Sequence, residues 1–337
     1  QPLFVKRQVG MYNWKELLGY INGEIAAMPL DRKPSELYAP IRYVLSMGGK
    51  RIRPVLMLMA YNLFKDDVTA IRSQAVAIEI YHNYTLLHDD LMDRADMRRG
   101  MPTVHRKWND NAAVLSGDSM LVMAYRFMQR RCPEGRLDEV MELFTETALE
   151  IGEGQQYDIE FETRRDVGEE EYIEMIRLKT SVLLACALKM GACLAGAPGE
   201  DADLLYRFGE CLGLAFQLQD DYLDVYGDPA VFGKKIGGDI LCNKKTYMLI
   251  NAFCRAQGEE REVLQSWIDK KEGTFRPEEK IAAVTSLYDK MGIRELCDEK
   301  IRFYFEQACR ILDEVRLPQE RKKPLWDMAQ SLLNRKF

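Results

Sequence analysis

The sequence predicts an all-α protein that folds as one large helical domain. Apolar residues recur at helical spacing along every long segment, and no segment shows the alternation of a β-strand. With 47% hydrophobic residues, the chain of 337 residues can bury a large core. No Ser/Gly-rich or Pro-rich stretch divides the pattern. We therefore expect a single helical domain over residues 12–337. It follows an N-terminal extension, residues 1–11, for which disorder is one interpretation.

The first helices lead to a short basic turn. Helical periodicity predicts helices over residues 12–28 and 34–47, and the second ends at a Gly-Gly pair. The turn reads G-G-K-R-I-R-P, and its glycines would let the cations of Lys50, Arg51 and Arg53 converge. Converging cations suit a diphosphate. A basic loop that only caps a helix end is the equally weighted alternative.

An acidic motif, D-D-L-M-D, closes the long helix that we expect over residues 68–92. Asp89 and Asp93 lie four residues apart, so both carboxylates project from one helix face. Two carboxylates on an apolar helix resist desolvation unless a divalent cation lies between them, and oxygen-only ligands indicate Mg²⁺. Arg98 and Arg99 follow, and their guanidinium groups match phosphate oxygens. The pattern predicts a site for a phosphorylated ligand.

The three histidines of the chain all fall in this neighbourhood. His82 and His88 are six residues apart, so they do not share a helix face as paired metal ligands would. For His82 we expect a hydrogen-bonding or phosphate-contacting role. For His88, a place on a helix surface or at the edge of the core is as good an interpretation as any functional one.

In the middle of the chain, the helical spacing of apolar residues predicts helices over residues 111–129, 137–161 and 169–194. The second of these carries polar side chains in an otherwise packed segment, namely Gln155, Gln156 and Asp158. In the third helix, Lys179 lies among apolar neighbours. Its ammonium would either extend to solvent or reach into a polar cavity.

A second acidic motif lies in the helix that we expect over residues 201–226, where the chain reads F-Q-L-Q-D-D-Y-L-D. Asp220 and Asp224 repeat the four-residue spacing. One such motif in an acidic protein is usually a solvated helix face, but two copies, each embedded in an apolar helix, favour a site. Lysines spaced by glycines follow over residues 233–246, and amphipathic scaffold helices fill the rest of the chain.

Composition argues against several functions. The net charge is −6 and the basic residues are mostly dispersed, which argues against a nucleic-acid partner. The eight cysteines form no C-x-x-C pair and are typical of reduced core residues in a cytoplasmic protein. The most apolar stretch, residues 181–197, is interrupted by Lys189 and predicts a buried core helix rather than a membrane span.

Taken in order, the motifs resemble those of a known family. They are G-G-K-R-I-R-P, D-D-L-M-D with the following R-R-G, E-G-Q-Q-Y-D, K-T, F-Q-L-Q-D-D-Y-L-D and G-K-K. Together they resemble the trans-isoprenyl diphosphate synthases, the polyprenyl synthetase family that includes farnesyl and geranylgeranyl diphosphate synthases, over residues 12–337. The resemblance implies an isoprenoid-synthase fold, an all-α bundle around a deep central cavity, and a homodimer. It also implies Mg²⁺-dependent condensation of isopentenyl diphosphate with dimethylallyl, geranyl or farnesyl diphosphate.

The same resemblance implies a role for each matching residue. Three Mg²⁺ ions bound with the allylic diphosphate would be held by Asp89, Asp93, Asp220 and Asp224. The allylic diphosphate itself would contact Arg98, Lys179, Lys234 and Lys244. Isopentenyl diphosphate would contact Lys50, Arg53, His82 and Arg99. Thr180 and Gln217 match positions near the developing carbocation, and with Lys179 they are the candidate catalytic residues.

The first acidic helix also bears on product length. Tyr81, Thr85, Asp89 and Asp93 form one i, i+4 row, so a prenyl tail leaving the metal site should run back along it. By resemblance, Thr85 and its neighbour Tyr84 set the floor of the cavity. This pattern predicts a short-chain product of C15–C20, with C20 slightly favoured. That both tyrosines are ordinary core aromatics is the alternative.

Three other functions remain open. A longer-chain polyprenyl diphosphate synthase would share every motif above. A metal phosphohydrolase of the H-D type would use His82, the pair His88-Asp89 and Asp224, but it leaves Asp93, the arginine pair and the lysine motifs unexplained. A non-catalytic regulatory subunit would be expected to have decayed acidic motifs, whereas both are complete here.

Overall fold

Helices form almost all the regular structure of residues 10–228, 236–271 and 273–333, the part of the chain that this computed structural model describes. Within that part the only strands form a hairpin with two residues on each side. The prediction of an all-α fold is confirmed. Lys234 and residues 1–9 of the predicted N-terminal extension lie outside the described residues.

The elements follow one another with short connections. The first are α1 (Trp14–Ala26), α2 (Ser35–Ser46), α3 (Ile52–Phe64), a 3₁₀ turn (Val68–Ile71), α4 (Arg72–Met92), β1 (Met97–Arg98), β2 (Met101–Pro102), α5 (Val104–Lys107), α6 (Asp110–Gln129) and α7 (Leu137–Thr163). Next come α8 (Glu169–Ile176), a π-helical turn (Arg177–Ser181), α9 (Val182–Ala195) and α10 (Gly199–Tyr226). The last are α11 (Gly238–Leu241), α12 (Tyr247–Arg255), α13 (Gly258–Asp269), α14 (Pro277–Lys290), α15 (Ile293–Glu314) and α16 (Gln319–Leu333).

Helix ends differ from the predicted ones where a side chain caps the backbone. The Asn13 side chain accepts from the backbone N–H groups of Lys15 and Glu16, and the Glu16 carboxylate accepts from the N–H of Asn13. This capping box starts α1 at Trp14. Farther on, Asp67 caps the 3₁₀ turn by accepting from the N–H of Thr69. The helix predicted over residues 68–92 therefore begins as a 3₁₀ turn.

The chain divides into two units. The first comprises Gln1–Thr145, Cys186–Leu205 and Arg316–Leu325, and the second comprises Glu146–Ala185, Tyr206–Val315 and Trp326–Phe337. Each unit is assembled from three separate stretches of sequence. One domain over residues 12–337 stays a prediction.

In the first unit, α3 is enclosed by its neighbours. Every residue from Pro54 to Leu63 is buried, and α4 packs against both α3 and α6. Gly191, near the end of α9, lies so close to α3 that an added Cβ would clash with the carbonyl oxygen of Met57. These contacts fix the direction of α4, which carries the first acidic motif at its C-terminal end.

The second unit has its own apolar core. Residues such as Leu218, Met248, Leu264 and Ile293 are fully buried in it, and α12 packs against α8 and α15. The short helix α11 packs against α14. This core supports the C-terminal end of α10, where the second acidic motif lies.

One segment of the described residues, Glu169–Ala195, is long and apolar enough to cross a membrane by length and composition, but 83% of its most apolar window is buried. Such burial is what we predicted for a core helix over residues 181–197.

A π-helical turn interrupts the helix predicted over residues 169–194. It spans Arg177–Ser181 and is pressed by glycines from two other helices of the second unit. A Cβ added to Gly154 of α7 would clash with the backbone N of Lys179, and one added to Gly213 of α10 would lie 2.6 Å from Cα of Ser181. π-helical turns are frequent at functional sites. This one carries Lys179 and Thr180.

Two glycines of α7 allow a matched test of this contact. Gly154→Ala should lower the free energy of unfolding by about 1–3 kcal/mol, because the added methyl group overpacks the π-helical turn. Gly152→Ala should raise it by about 0.5–1 kcal/mol, because nothing lies within 4 Å of its Cβ position and alanine favours the helix. Urea unfolding of both variants measures the difference. Equal stability of the two would show that the contact is not tight.

Candidate functional site

The first unit brings an acidic and a basic group of side chains together at the end of α4. Asp89 is half-buried and Asp93 is exposed on the last turn of this helix, where the N–H of Asp93 donates to the carbonyl of Asp89 at 2.8 Å. The aspartate between them is different. Asp90 is buried, and its carboxylate accepts from Nε and Nη2 of Arg98 at 2.7–2.9 Å.

The bond from Arg98 to Asp90 was not predicted from the sequence. Burial opposes the charge of the Arg98 guanidinium, but the bond to Asp90 raises the pKa of Arg98 above its ordinary value. A signal for it existed, because consecutive helical residues point about 100° apart, so Asp90 cannot share the face of Asp89 and Asp93. The arginine is thus anchored beside the acidic pair.

Arg99 occupies the tip of the β1–β2 hairpin. Arg99 and Gly100 both have positive φ, 51° and 76°, as a two-residue I′ turn requires. Arginine seldom adopts this conformation, and such outliers cluster at functional sites. The guanidinium of Arg99 donates to the carbonyl of Gly48, and a Cβ added to Gly49 would lie 2.8 Å from the guanidinium. Gly49 therefore makes room for Arg99, and Gly48 supplies the carbonyl that it binds.

The basic turn G-G-K-R-I-R-P separates its cations. Arg51 is buried and donates to a carboxylate oxygen of Glu79 at 2.7 Å, to the carbonyl of Leu45 at 2.6 Å and to Asn22 at 3.2 Å. The expectation that Arg51 converges with its neighbours is therefore wrong, because a buried carboxylate holds it. Lys50 is exposed.

Arg53 and His82 form the remaining contact of this basic group. Nη1 of Arg53 lies 3.0 Å from Nε2 of His82. Because a guanidinium only donates, the imidazole nitrogen accepts, which requires a neutral ring. Burial, together with Arg53 and the other arginines nearby, also lowers the pKa of His82 well below its usual value. A hydrogen-bonding role for His82 is confirmed.

His88 lies at the edge of the core. Its Nε2 is 3.4 Å from the carbonyl oxygen of Val114, and a Cβ added to Gly117 would clash with its ring. The interpretation as a core-edge residue is confirmed, and its packing holds α4 against α6.

Aromatic rings line up along α4 before the acidic motif. Tyr81 is buried, with its ring 5.2 Å from Phe144 and 5.5 Å from Tyr84. Tyr84 in turn packs on His88 at 4.9 Å. The hydroxyl of Thr85 donates to the carbonyl of His82. Tyr81, from the predicted row, and Tyr84, beside that row, are thus in ring contact one to two turns before Asp89.

In the second unit, a chain of hydrogen bonds links α8, the π-helical turn and α10. The hydroxyl of Thr180 donates to the amide oxygen of Gln217 at 3.2 Å, and the amide nitrogen of Gln217 donates to Asp221 at 3.1 Å. The hydroxyl of Tyr172 donates to the other oxygen of Asp221. Two of the three predicted catalytic residues, Thr180 and Gln217, are therefore bonded directly to each other. Gln217 is held in turn by Asp221, which also accepts from Tyr172, and sequence analysis assigned neither of these two residues to the site.

Lys179 bonds to a residue that the sequence had already marked. Its ammonium lies 2.6 Å from a carboxylate oxygen of Asp158, so it reaches a polar partner rather than bulk solvent. One turn earlier, both side-chain polar atoms of Gln155 are buried without a hydrogen-bond partner among the described residues. Buried amides of this kind bind water or a ligand.

Lys244 lies near buried acidic groups. Its Nζ is 3.7 Å from a carboxylate oxygen of Asp239. Burial opposes its charge, but Asp221 and Asp239 raise the pKa of Lys244 above the ordinary value. For Asp221, burial is the largest cause of a raised pKa. Lys244 is thus held cationic by two carboxyl groups.

Asp224, a predicted metal ligand, also accepts hydrogen bonds from the backbone of the following segment. One of its carboxylate oxygens accepts from the N–H of Asp239 at 2.9 Å, and its carbonyl accepts from the N–H of Gly237 at 2.6 Å. The segment that leads to Lys244 is therefore tied to the second acidic motif.

The two acidic pairs fit Mg²⁺. Among the described residues, no three His, Cys, Asp or Glu side chains come close enough to hold a metal on their own. Mg²⁺ usually keeps several waters and binds one or two carboxylates together with substrate phosphates. A pair of carboxylates beside anchored cations, as at Asp89 and Asp93, is a donor set of that kind.

The chain is similar to known proteins over nearly its whole length. Residues 34–288 match the sequence model of the polyprenyl synthetase family. A geranylgeranyl diphosphate synthase of Methanosarcina mazei is 39% identical over 311 residues, which cover 92% of this chain and 93% of that protein. A geranylfarnesyl diphosphate synthase of Natronomonas pharaonis is 39% identical over 252 residues, covering 70% of this chain and 73% of that protein.

Solved structures agree with the sequence matches. A crystal structure of a geranylgeranyl pyrophosphate synthase superposes with a TM-score of 0.92 at 40% identity, covering 97% of this chain and all of that one. The geranylgeranyl pyrophosphate synthetase of Pyrococcus horikoshii gives a TM-score of 0.87 at 31% identity, covering 96% of this chain and 99% of that one. The family predicted from the ordered motifs is confirmed: this chain belongs to the polyprenyl synthetase family and is a trans-prenyltransferase of the short-chain type.

Proposed function

We propose that the chain condenses isopentenyl diphosphate with an allylic diphosphate to give an all-trans product of C15–C20 and pyrophosphate. The observation that carries this proposal is the anchoring of Arg98 by Asp90 beside the acidic pair. An anchored guanidinium next to carboxylates suits a metal-bound diphosphate, because its N–H donors match phosphate oxygens. A solvated helix face would not require this anchoring.

In the first unit, each polar side chain has a proposed partner. Asp89 and Asp93 would hold Mg²⁺, and Arg98 would bind oxygens of the allylic diphosphate. Isopentenyl diphosphate would bind to Lys50, Arg53, His82 and Arg99. Because His82 is neutral and accepts from Arg53, it adds no charge but orients that guanidinium toward a ligand.

In the second unit, Asp220 and Asp224 would hold Mg²⁺, with three ions in all when the allylic diphosphate is bound. The allylic diphosphate would also contact Lys179 and Lys244, each kept beside a carboxyl group, and Lys234 by resemblance. Thr180 and Gln217 would lie near the allylic carbon, where their hydrogen-bonded dipoles can orient toward positive charge.

The reaction requires no side-chain nucleophile. The bond between the allylic carbon and the diphosphate oxygen breaks, and its electron pair leaves with pyrophosphate. The double bond of isopentenyl diphosphate then forms the new carbon–carbon bond, and a proton is lost to the released pyrophosphate. Mg²⁺, when bound, supplies positive charge to the diphosphate oxygens. The arginines and lysines stabilise the same developing negative charge, which is usually the largest catalytic contribution.

We expect pyrophosphate release to require Mg²⁺ and both substrates. Asp89→Ala and Asp220→Ala should each lower turnover about a hundredfold or more, because each removes charge stabilisation of the leaving group. The control is Asp298→Ala, which removes a half-exposed helical carboxylate that pairs with Arg302 one turn later. Pyrophosphate assays and circular dichroism of the variants measure both effects.

Different outcomes identify the rival functions. Phosphate released from a single substrate would indicate a hydrolase of the H-D type. No condensation by the purified chain with Mg²⁺ would indicate a regulatory subunit. Near-normal turnover in Asp89→Ala or Asp220→Ala, with parent-like circular dichroism, would refute the site assignment.

A homodimer is supported by the exposed face of α6. Leu115 and Val122 are 59% and 67% exposed on this helix, and Val114 lies beside them at 42%. Large apolar side chains grouped on one surface mark an interaction site. A second copy of the chain is the partner that the family resemblance implies.

Val122→Glu should convert the dimer to a monomer of 39.0 kDa at micromolar concentration, because a carboxylate cannot be buried without a partner. Val263→Glu is the matched control, since Val263 is an exposed valine of α13 at 37%. Sedimentation velocity measures both. A parent protein that is already monomeric would refute the homodimer.

We also propose a cytoplasmic location. All eight cysteines are free thiols, and three of them, Cys186, Cys193 and Cys297, are buried. Reduced thiols are typical of such a compartment.

Product length would be set by the aromatic cluster of Tyr81 and Tyr84. Burial and the nearby carboxylates of Asp118 and Asp89 raise the pKa of the Tyr84 hydroxyl, so this ring is neutral at physiological pH. A neutral ring five residues before Asp89, more than one helical turn from the acidic pair, can stop an apolar chain by contact alone. A longer-chain product remains the alternative, and a relative named geranylfarnesyl diphosphate synthase keeps it open.

Tyr84→Ala should lengthen the product by at least one isoprene unit, because it removes a ring that would form the floor of the cavity. Tyr304→Ala removes a half-buried tyrosine of α15 and should leave the length unchanged. Chromatography of dephosphorylated products compares them. An unchanged length in Tyr84→Ala, or a parent product of C30 or longer, would show that this helix face does not set the length.

A further inference from the structure

A buried lysine lies under the turn that leads to Lys244. Lys280 of α14 is 1% exposed, although lysines are almost never buried without a partner. Its ammonium donates to the side-chain oxygen of Asn243 at 2.6 Å and to the carbonyl of Leu241 at 3.3 Å, and it lies 5.1 Å from the ring centre of Phe275. Neither of these two oxygen partners is a carboxylate. Burial lowers its pKa.

Asn243 is the residue through which this lysine acts on the backbone. It has a φ of 55°, in the left-handed region that asparagine tolerates better than most residues. Its side-chain oxygen accepts from Lys280, and its side-chain nitrogen donates to the carbonyl of Ile268 at 3.1 Å. Both ends of the amide are therefore held, one by α14 and one by the end of α13.

Lys244 follows directly, so its position depends on the conformation of Asn243. The N–H of Lys244 donates to the carbonyl of Asp239 at 2.9 Å, and its ammonium lies 3.7 Å from the carboxylate of the same residue. A change in φ at residue 243 would redirect the whole following residue. The left-handed turn thus determines where the Lys244 cation points.

We propose that Lys280 is a positioning residue for the reaction: by holding the Asn243 amide, it fixes the left-handed turn from which Lys244 reaches the allylic diphosphate. This inference rests on the proposed role of Lys244 as a contact of that diphosphate. A lysine suits the task because a charged donor forms a stronger bond to an amide oxygen than a neutral one does.

The first test is Lys280→Met, which keeps the length of the side chain and removes its charge. We expect the KM for the allylic diphosphate to rise about tenfold, as for the loss of one charge-assisted hydrogen bond, while the KM for isopentenyl diphosphate stays unchanged. In the ligand-free protein, the amides of residues 240–246 should exchange with deuterium faster. Lys322→Met is the control, because it removes a buried lysine of the other unit and should change neither KM.

The second test uses Asn243→Gly, which keeps the left-handed conformation but removes the acceptor. This variant should also raise the KM for the allylic diphosphate. Adding Lys280→Met to it should raise that KM less than Lys280→Met does in the parent, because the two residues act through one bond. If Lys280→Met does not fold, Asn243→Gly alone still tests the inference through exchange and KM.

Each contrary outcome has one meaning. Unchanged exchange of residues 240–246 in Lys280→Met would overturn the inference, as would strictly additive effects in the double variant. Unchanged allylic KM in Lys280→Met, with a raised KM in Lys244→Ala, would overturn it too. An unchanged allylic KM in Lys244→Ala would instead refute the proposed function of that lysine, while faster exchange in Lys280→Met would still measure the anchoring.

Discussion

Each acidic motif places three carboxylates within five residues of a largely apolar helix. A carboxylate that is buried there must replace the water that it loses, and the site depends on which hydrogen-bond donors replace it. In both acidic motifs the second aspartate turns inward and is satisfied there. Asp90 accepts from Arg98, and Asp221 accepts from Tyr172 and Gln217. The inward carboxylate leaves the first and third members of the motif on the opposite face of the helix. The same bonds orient the side chains that we assign to the substrates.

The sequence predicted the helices well because they depend on spacing along the chain, and it predicted the reaction class through the resemblance of its ordered motifs to a known family. Periodicity located α6, α7 and α10 to within a few residues of their observed ends. Asp89 and Asp93 are four residues apart in the sequence, and helical geometry alone then places them on one face. Lys179 and Asp158 each stood out as a polar residue in a packed segment, but the sequence did not indicate that the two form a pair.

What the sequence could not predict depends on partners brought from elsewhere in the fold. Nothing in R-L-K-T-S marks a π-helical turn, because that turn is set by Gly154 and Gly213 of other helices. The inward direction of Arg51 needs Glu79, which is 28 residues away, and the burial of Lys280 needs Asn243, 37 residues away. Arg51 and Arg53 are the same residue type, so the sequence does not distinguish them. The surrounding helices determine that Arg51 is the buried one.

Because the pair Arg51 and Glu79 is buried, ionic strength should affect ligand binding at this turn differently from the stability of the turn itself. Exposed charges interact through solvent and are screened by salt, whereas a buried pair is screened much less. The side chains of this pair are 3% and 2% exposed. Lys50, on the surface of the same turn, would bind an anion more weakly in concentrated salt. The shape of the turn would persist under the same conditions, so salt would weaken the attraction of an anionic ligand without dismantling the place where it binds.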